Sequence, residues 1–438
     1  MEFILKITFI HPSMTGKQSS DALKPLVFAI LLGLTPKDIK TEFYDECVEK
    51  LPDFIDGEAV VFSVETLAAK RAYALARHYK KANPAVKVIM GGFHITAVPD
   101  EAALYADSVV AGDAESVWGG LITDLRSETL KPLYVSSNDY MLPYNKSDHS
   151  IFAGKKYARL GVVQWKRGCY FNCGFCSVRA FYKSCVIERE ISDVICEIAG
   201  MKEKIFLIAD DNLLHDRDKL KSFLTELAPL KKKWGCQISI NAAKDPEILG
   251  LMKKSGCVIA IVGFESLNES TLTEMGKNQS AAEYDSAVQV FHSYGIMVYA
   301  TFIFGYPDDT IDSFGHVYDF VMKHKLAIAN FNPLLVMPGT SLYGELNKQN
   351  KLIDPQWWLS GNYSYGDTMH NPGSMTPEQL ATGCKKLRYR FYSLRNILRR
   401  VLNPVNVRHL PVFMLVNIIS CIEIRRKHKL KHGGDSHL

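Results

Sequence analysis

The sequence lacks features that would place it in a membrane-spanning or exported class of protein. No stretch reaches the roughly 18 uninterrupted apolar residues of a membrane-spanning helix, and the nearest candidate, 410–424, is short and contains Asn417 and Glu423. The apolar N-terminus carries Glu2 and Lys6 and has neither a basic first segment nor a small-residue cleavage site. It therefore indicates a buried strand more than a signal peptide. We expect a cytoplasmic protein.

A large excess of charge is missing as well. The chain has 52 Lys and Arg against 47 Asp and Glu, a net charge of +5 over 438 residues, which argues against a nucleic-acid-binding body. The composition, 47% apolar and 23% charged, is that of a globular protein, and the length predicts two or three domains. A local basic tail is indicated near the C-terminus by Arg399, Arg400, Arg425, Arg426, Lys427, Lys429 and Lys431.

The first 140 residues alternate short apolar runs with an amphipathic pattern. Runs at 4–10, 59–64, 86–92 and 108–113 predict strands, and 65–82 predicts a helix. Apolar strands alternating with helices predict a doubly wound, Rossmann-like parallel sheet, which binds ligands at the carboxyl ends of its strands. The residues at those ends are Ser63, Glu65, Thr66, Gly91, Gly92, Phe93, His94, Gly112, Asp113 and Glu115, of which Ser63, Thr66, Gly91, Gly92 and His94 are the candidate cofactor contacts.

A linker rich in Ser, Asn, Asp and Pro, at about 135–155, precedes a second alternating series. Six βα units in succession build an open sheet or a partial barrel, and in a barrel the active site gathers at the carboxyl ends of the strands. The loop CYFNCGFC, 169–176, follows the first of these strands and so lies at that rim. The six predicted strands span 159–168, 204–211, 236–241, 257–266, 296–305 and 328–336.

Three of the ten cysteines, Cys169, Cys173 and Cys176, crowd into this loop. A structural zinc site takes four ligands, usually as two close pairs, and no second pair follows here at a fixed distance. Three thiolates can instead hold a cubane iron–sulfur cluster and leave one iron open to a small chelating molecule. The other seven cysteines are scattered, and we expect them to be buried as small hydrophobes.

The three cysteines resemble the C-x3-C-x2-C signature of the radical S-adenosylmethionine (SAM) superfamily. This resemblance implies a [4Fe-4S] cluster whose open iron chelates SAM and whose electron cleaves SAM into methionine and a 5′-deoxyadenosyl radical. Phe175 matches the position that packs against adenine. The resemblance places the segment ADDN, 209–212, near SAM, and a helix N-cap is an alternative or additional role for it. The resemblance implies further cofactor contacts at Asp210, Asp211, Asn212, Glu265 and Ser266.

The domain order and the segments GGFHITAVPDEAALYADSVVAGDAESVW and FYKSCVIEREISDVICEI resemble the cobalamin-binding, class B methyltransferase-like radical SAM proteins. The resemblance spans about residues 1–395. It implies a cobalamin-binding-like Rossmann domain at 1–140, a partial (β/α)6 TIM-like radical SAM barrel at 155–345 and a mainly helical C-terminal extension at 346–438. It also implies methyl transfer from SAM and cobalamin to an unactivated carbon, or phosphorus, of a small molecule, lipid or natural product. Flavodoxin or ferredoxin would serve as electron donor.

One departure from cobalamin-binding domains concerns the lower ligand of the cobalt. The motif D-x-H-x-x-G, which supplies a histidine there, is absent, so cobalamin is expected without a protein histidine ligand. The histidines available in the first 150 residues are His11, His78, His94 and His149. Three alternatives stay open: a pocket that has lost cobalamin, a radical SAM enzyme that catalyses cyclisation, rearrangement or oxidation, and a non-catalytic metal-binding regulator.

The C-terminal region is predicted to be helical. Segment 374–403 predicts one helix, with Thr376 as N-cap and Pro377 at its first position. The apolar stretch 410–424 with the basic residues after it is consistent with two structures, a peripheral membrane contact or a buried terminal helix.

Overall fold

The computed structural model describes residues 5–136 and 147–427, so the middle of the predicted linker lies outside the described residues. The N-terminal unit is a six-stranded parallel sheet in the order β2-β1-β3-β4-β5-β6. The sequence predicted four of these strands and missed β2 and β6, which lie at the two edges. The strands are β1 (Lys6–His11), β2 (Lys40–Asp45), β3 (Ala59–Ser63), β4 (Lys87–Gly91), β5 (Ser108–Ala111) and β6 (Leu133–Val135).

Helices cover both faces of this sheet, which makes it doubly wound. Alternate residues of each central strand point to opposite faces, so that Val61 packs with α1 and α5 while Val60 and Phe62 pack with α2. The strand order reverses between β1 and β3, and ligands of such sheets bind at that switch point. The helices are α1 (Leu26–Leu34), α2 (Ala69–Ala82), α3 (Phe93–Ala97), α4 (Pro99–Ala102) and α5 (Glu115–Arg126).

The second unit confirms the predicted partial barrel. Its six parallel strands follow one another in the order β14-β13-β12-β11-β10-β7, and a short antiparallel pair, β8 and β9, flanks the cysteine loop. The third predicted strand lies earlier than expected, at 233–237. The strands are β7 (Gly161–Val163), β8 (Lys166–Arg167), β9 (Ile187–Glu188), β10 (Ile205–Ile208), β11 (Lys233–Gln237), β12 (Cys257–Glu265), β13 (Met297–Phe304) and β14 (Ile328–Pro333).

Amphipathic helices connect the barrel strands and bury one face each against them. Proline opens α9, and the side chain of Asp245 caps it by accepting from the backbone of Ile248 at 3.1 Å. The helices are α6 (Ser177–Tyr182), α7 (Ile191–Gly200), α8 (Arg217–Leu227), α9 (Pro246–Ser255), α10 (Glu269–Glu274), α11 (Tyr284–Ser293) and α12 (Ile311–Lys323).

The C-terminal region is helical as predicted, but the prediction of one continuous helix at 374–403 is wrong, because this segment forms two helices. Thr376 caps α14 as expected, in a capping box with Gln379. The backbone then turns extended at Ser393, where a second helix starts. In the described part of the chain, no helix is long and apolar enough to cross a membrane. The helices are α13 (Ser341–Lys348), α14 (Pro377–Phe391), α15 (Leu394–Val401), α16 (Pro404–Arg408) and α17 (Leu410–Lys427).

Candidate metal centre and its neighbouring cavity

Cys169, Cys173 and Cys176 line one cavity of about 170 Å³ at the carboxyl ends of the barrel strands. All three are free cysteines, and no histidine or fourth cysteine of the described residues lines this cavity. Burial raises the pKa of Cys173 to about 11, so a thiolate at this position needs a cationic partner such as a metal. The donor set fits a cluster that is held at three corners.

The cysteine loop is held in place by close backbone contacts on both sides. Gly168 has a φ of +88°, and a Cβ there would lie 2.1 Å from the carbonyl oxygen of Cys185. Its backbone N–H donates to Asp211 Oδ2 at 2.7 Å. Gly276 has a φ of +71°, and a Cβ there would lie 2.7 Å from the carbonyl oxygen of Asn172. The loop is therefore wedged between the end of β10 and the segment after α10.

Glu265 ends β12 in a conformation that side chains rarely adopt. Its φ is +63°, and the pairing register with β13 shifts between Gly263 and Glu265. Such strain persists only where surrounding contacts enforce it, and it concentrates at functional sites. Here the carboxylate lies 3.2 Å from Lys277 Nζ and 3.4 Å from Thr301 Oγ1. A Cβ on Gly263 would lie 2.2 Å from Glu265 Oε1, so glycine provides the space for this pair.

Lys277 is a functional candidate that the sequence interpretation missed. It lines the cysteine cavity from the loop after α10. Burial alone would lower its pKa, but Glu265 and the sulfurs of Cys173 and Cys176 outweigh burial and raise it. A buried ammonium is thus held beside three thiols and a carboxylate. Lys277 belongs to no recognisable motif, so the sequence around it did not indicate this role.

The predicted contacts around the cysteines divide into two groups. Phe175, Asp211, Asn212 and Glu265 line the cavity, whereas Asp210 and Ser266 do not. Asp210 Oδ1 accepts from the backbone N–H of Trp165 at 2.8 Å and so links β10 to β7. Burial raises the pKa of Asp210 to about 7. Ser266 Oγ accepts from the backbone of Asn268 at 3.1 Å.

The alternative role of ADDN as a helix cap is wrong. The N-cap of α8 is Asp216, whose Oδ1 accepts from the backbones of Asp218 and Lys219 at 3.0 Å each. Asn212 instead accepts from the backbone of Ser239 at 3.0 Å and so fixes the end of β10 against β11.

A second cavity, of about 320 Å³, lies at the carboxyl edge of the N-terminal sheet. The ends of β1, β3 and β4 contribute His11, Ser63, Gly91 and Gly92 to it. Gly92 has a φ of +109°, and a Cβ there would lie 2.7 Å from the carbonyl oxygen of Val64. Apolar residues of α1 form the opposite wall. A cavity that spans the switch point, with glycines at its edge on β4 and an apolar wall opposite, fits a large flat ligand.

Two predicted contacts, Thr66 and His94, do not line this second cavity. His94 is fully buried, with Nε2 lying 3.1 Å from Tyr73 Oη and 3.2 Å from Glu101 Oε1. It ties α2, α3 and α4 together. The chain turns at Gly92 and carries the side chain of His94 away from the strand ends, which spacing along the sequence could not reveal.

The histidine that does line the second cavity is His11. Its Nδ1 lies 3.1 Å from Asp45 Oδ1. Burial would lower the pKa of His11, but Asp45 outweighs burial and raises it. The same contact, with help from Tyr157, lowers the pKa of Asp45 against the effect of burial. The side chain is thus oriented by a carboxylate behind it.

One short segment, 164–169, contributes residues to both cavities. Gln164 and Arg167 line the N-terminal cavity, and Cys169 lines the cysteine cavity. Arg167 Nη1 lies 2.6 Å from Glu115 Oε1 and 3.2 Å from Asp113 Oδ2, so it joins the barrel rim to the N-terminal sheet. Helix α6 reinforces the contact, because the rings of Phe93 and Phe181 stack with centroids 4.5 Å apart.

Comparison with known proteins agrees with this geometry. A family model described as the radical SAM superfamily matches residues 163–321. The chain is 31% identical over 396 residues to bacteriochlorophyllide d C-12(1)-methyltransferase of Chlorobaculum tepidum, which covers 86% of this chain and 84% of that protein. It is 28% identical over 368 residues to bacteriochlorophyllide d C-8(2)-methyltransferase of the same organism, and the match covers 78% of this chain and 80% of that protein. It is 24% identical over 441 residues to the anaerobic magnesium-protoporphyrin IX monomethyl ester cyclase of Cereibacter sphaeroides, with 89% and 70% covered.

Two solved structures share the fold. The cobalamin-dependent S-adenosylmethionine radical enzyme OxsB with aqua-cobalamin bound superposes with a TM-score of 0.70 at 13% identity, covering 96% of this chain and 72% of that one. The radical S-adenosylmethionine methyltransferase TsrM of Kitasatospora setae, with cobalamin and a [4Fe-4S] cluster bound, gives 0.63 at 15% identity, with 87% and 85% covered. The likeness extends over both sheets and their order in the chain.

Proposed function

Since this chain belongs to the radical SAM superfamily, we propose that it is a cobalamin-dependent methyltransferase. Its acceptor would be an unactivated carbon, or phosphorus, of a small molecule, lipid or natural product. The observation that carries the proposal is the pair of cavities on either side of segment 164–169. Methyl transfer through a radical needs two cofactors side by side, and this arrangement provides adjacent sites for them.

In the cysteine cavity, Cys169, Cys173 and Cys176 would hold a [4Fe-4S] cluster. Phe175 and Glu265 would contact SAM, together with the other predicted residues that line this cavity, Asp211 and Asn212. The bound cluster would supply the electron that cleaves SAM to a 5′-deoxyadenosyl radical. The residues that line this cavity would limit the access of water to the radical.

In the N-terminal cavity, Ser63, Gly91 and Gly92 would border the corrin of cobalamin, which would supply the methyl group. We propose no direct contact from Thr66 or His94, because neither lines the cavity. Following the absence of the D-x-H-x-x-G motif, cobalamin would bind without a histidine beneath the cobalt. A flavodoxin or ferredoxin would deliver electrons. A cytoplasmic location suits free thiols and a reduced cluster.

Anaerobic reconstitution tests this function. We expect a brown protein that binds cobalamin and that, on reduction, forms 5′-deoxyadenosine and S-adenosylhomocysteine together with a methylated product. A colourless protein with one bound zinc would instead support the non-catalytic regulator.

A second candidate function is a radical SAM reaction without methyl transfer, such as ring formation. This second function is supported by the similarity to the anaerobic cyclase, which extends over 89% of this chain. Products separate the two functions, because a cyclase would form 5′-deoxyadenosine without S-adenosylhomocysteine.

A further inference from the structure

The last three helices turn large apolar side chains toward solvent. Leu394, Leu398 and Leu402 are 76%, 66% and 69% exposed, and their spacing of four places them along one side of α15 and its C-cap residue, Leu402. On α17, Leu415, Ile418 and Ile422 repeat the arrangement. We name these side chains the outer apolar face, whose members are Leu394, Leu398, Leu402, Val407, Leu410, Leu415, Ile418 and Ile422.

The buried sides of the same helices carry polar side chains between apolar ones such as Ile397 and Phe413, and those polar groups fix how the helices are turned. Arg400 is fully buried, and its Nη1 donates to the carbonyl oxygens of Leu326 and Ala327 at 3.1 and 2.7 Å. Its Nη2 donates to Asn417 Oδ1 at 2.8 Å. Asn417 Nδ2 in turn donates to Ala327 at 3.1 Å. Rotating the helices to hide the leucines would break these hydrogen bonds and leave a buried guanidinium without partners. The outward orientation is therefore enforced by the fold.

The exposed charges of the segment that carries the outer apolar face have one sign. Segment 394–426 contains six arginines, no lysine and a single acidic residue, Glu423. Glu423 is buried and turned toward the N-terminal loop, where its Oε1 accepts from the backbone N–H of Ser20 at 3.1 Å. The arginines that are exposed here are Arg395, Arg399, Arg408, Arg425 and Arg426.

We propose that the outer apolar face binds the surface of an anionic lipid membrane. The apolar side chains would enter the boundary between headgroups and acyl chains, and the arginines would meet lipid phosphates. A second copy of this chain is a poorer partner, because a two-fold contact would set arginines against arginines with no exposed carboxylate of this segment to pair with them. This inference goes beyond the proposed function and requires neither cofactor.

Sedimentation of the full chain with vesicles tests the proposal. We expect the protein to bind vesicles with about one quarter phosphatidylglycerol at least about tenfold more tightly than pure phosphatidylcholine. Salt at about 0.5 M should weaken this binding. Both the Leu398→Ser/Leu402→Ser and the Arg395→Glu/Arg399→Glu variants should bind at least about tenfold more weakly. Leu104→Ser is the matched control, since Leu104 is 78% exposed on the N-terminal unit.

Binding that is equal for the two lipids, or unchanged in the leucine variant, would overturn the proposal. So would light scattering that shows a dimer in the wild type and a monomer in Leu398→Ser/Leu402→Ser, since a second copy would then cover the face. Circular dichroism of each variant checks that it is folded. None of these measurements requires a cluster or cobalamin. The binding result can therefore be read even if the protein shows no methyltransferase activity.

Discussion

Replacing Lys277 by methionine should destabilise the barrel strongly, because it leaves the Glu265 carboxylate buried without its cation. The two groups lie 3.2 Å apart, and their side chains are only 16% and 9% exposed. Removing one partner of a buried ion pair costs about 3–5 kcal/mol. Thr301 Oγ1 remains 3.4 Å from the carboxylate as a weak neutral partner, so we expect the lower end, about 3 kcal/mol.

The assay is urea unfolding of the metal-free protein under reducing conditions, so that loss of a cluster does not contribute. Lys244→Met is the matched control. It breaks a pair with Glu283 at 2.8 Å whose side chains are 60% and 45% exposed, and it should cost less than about 1 kcal/mol. The double variant Lys277→Met/Glu265→Gln should recover much of the loss, because it also removes the unpaired charge.

An equal, small effect of Lys277→Met and Lys244→Met would refute this reasoning, since burial would then add nothing to the pair. A double variant as unstable as Lys277→Met would show that the loss comes from packing of the lysine side chain and not from the buried charge.

Three further predictions concern the cysteine loop, the end of β10 and the N-terminal cavity. Cys173→Ser should lower bound iron and visible absorption after reconstitution while the exposed Cys196→Ser leaves both unchanged, and full iron in Cys173→Ser would contradict a three-cysteine cluster. Burial raises the pKa of Asp210 from 3.8 to about 7, so its ionisation is disfavoured in the folded state and stability should fall as pH rises between these values. Asp210→Asn should reduce this dependence of the unfolding free energy on pH, measured by urea unfolding at several pH values. An unchanged dependence would show that other groups cause it. The electron paramagnetic resonance spectrum of bound cob(II)alamin should show no nitrogen splitting in the wild type or in His11→Ala, whereas a splitting that His11→Ala abolishes would identify His11 as the lower ligand.

Both sheets could be predicted because their inner strands are covered on both faces. Such strands need apolar residues at nearly every position, as in β3, and this pattern is visible locally. The missed strands are edges: β2 reads KTEFYD and β6 has only three residues, two of them exposed. At an edge, burial no longer imposes a continuous apolar run, so the sequence resembles a loop.

The position of Cys169, Cys173 and Cys176 in one cavity could be predicted because one loop of eight residues carries all three. The ion pair of Glu265 with Lys277, by contrast, forms only when α10 folds the chain back over the end of β12. The salt bridge from Arg167 to Glu115 likewise joins residues of separate units. Distances of this kind depend on the packing of whole elements, and no local pattern records them.

The C-terminal helices show the same division. The sequence by itself determined that this region is helical and basic, because helix propensity, the Thr376 cap and charge are properties of neighbouring residues. It did not determine that Arg400, predicted as part of a basic tail, is buried while Leu398 is exposed. That orientation was decided by the carbonyl oxygens of Leu326 and Ala327, which lie 74 and 73 positions from Arg400 along the chain and which only the tertiary structure brings within hydrogen-bonding distance.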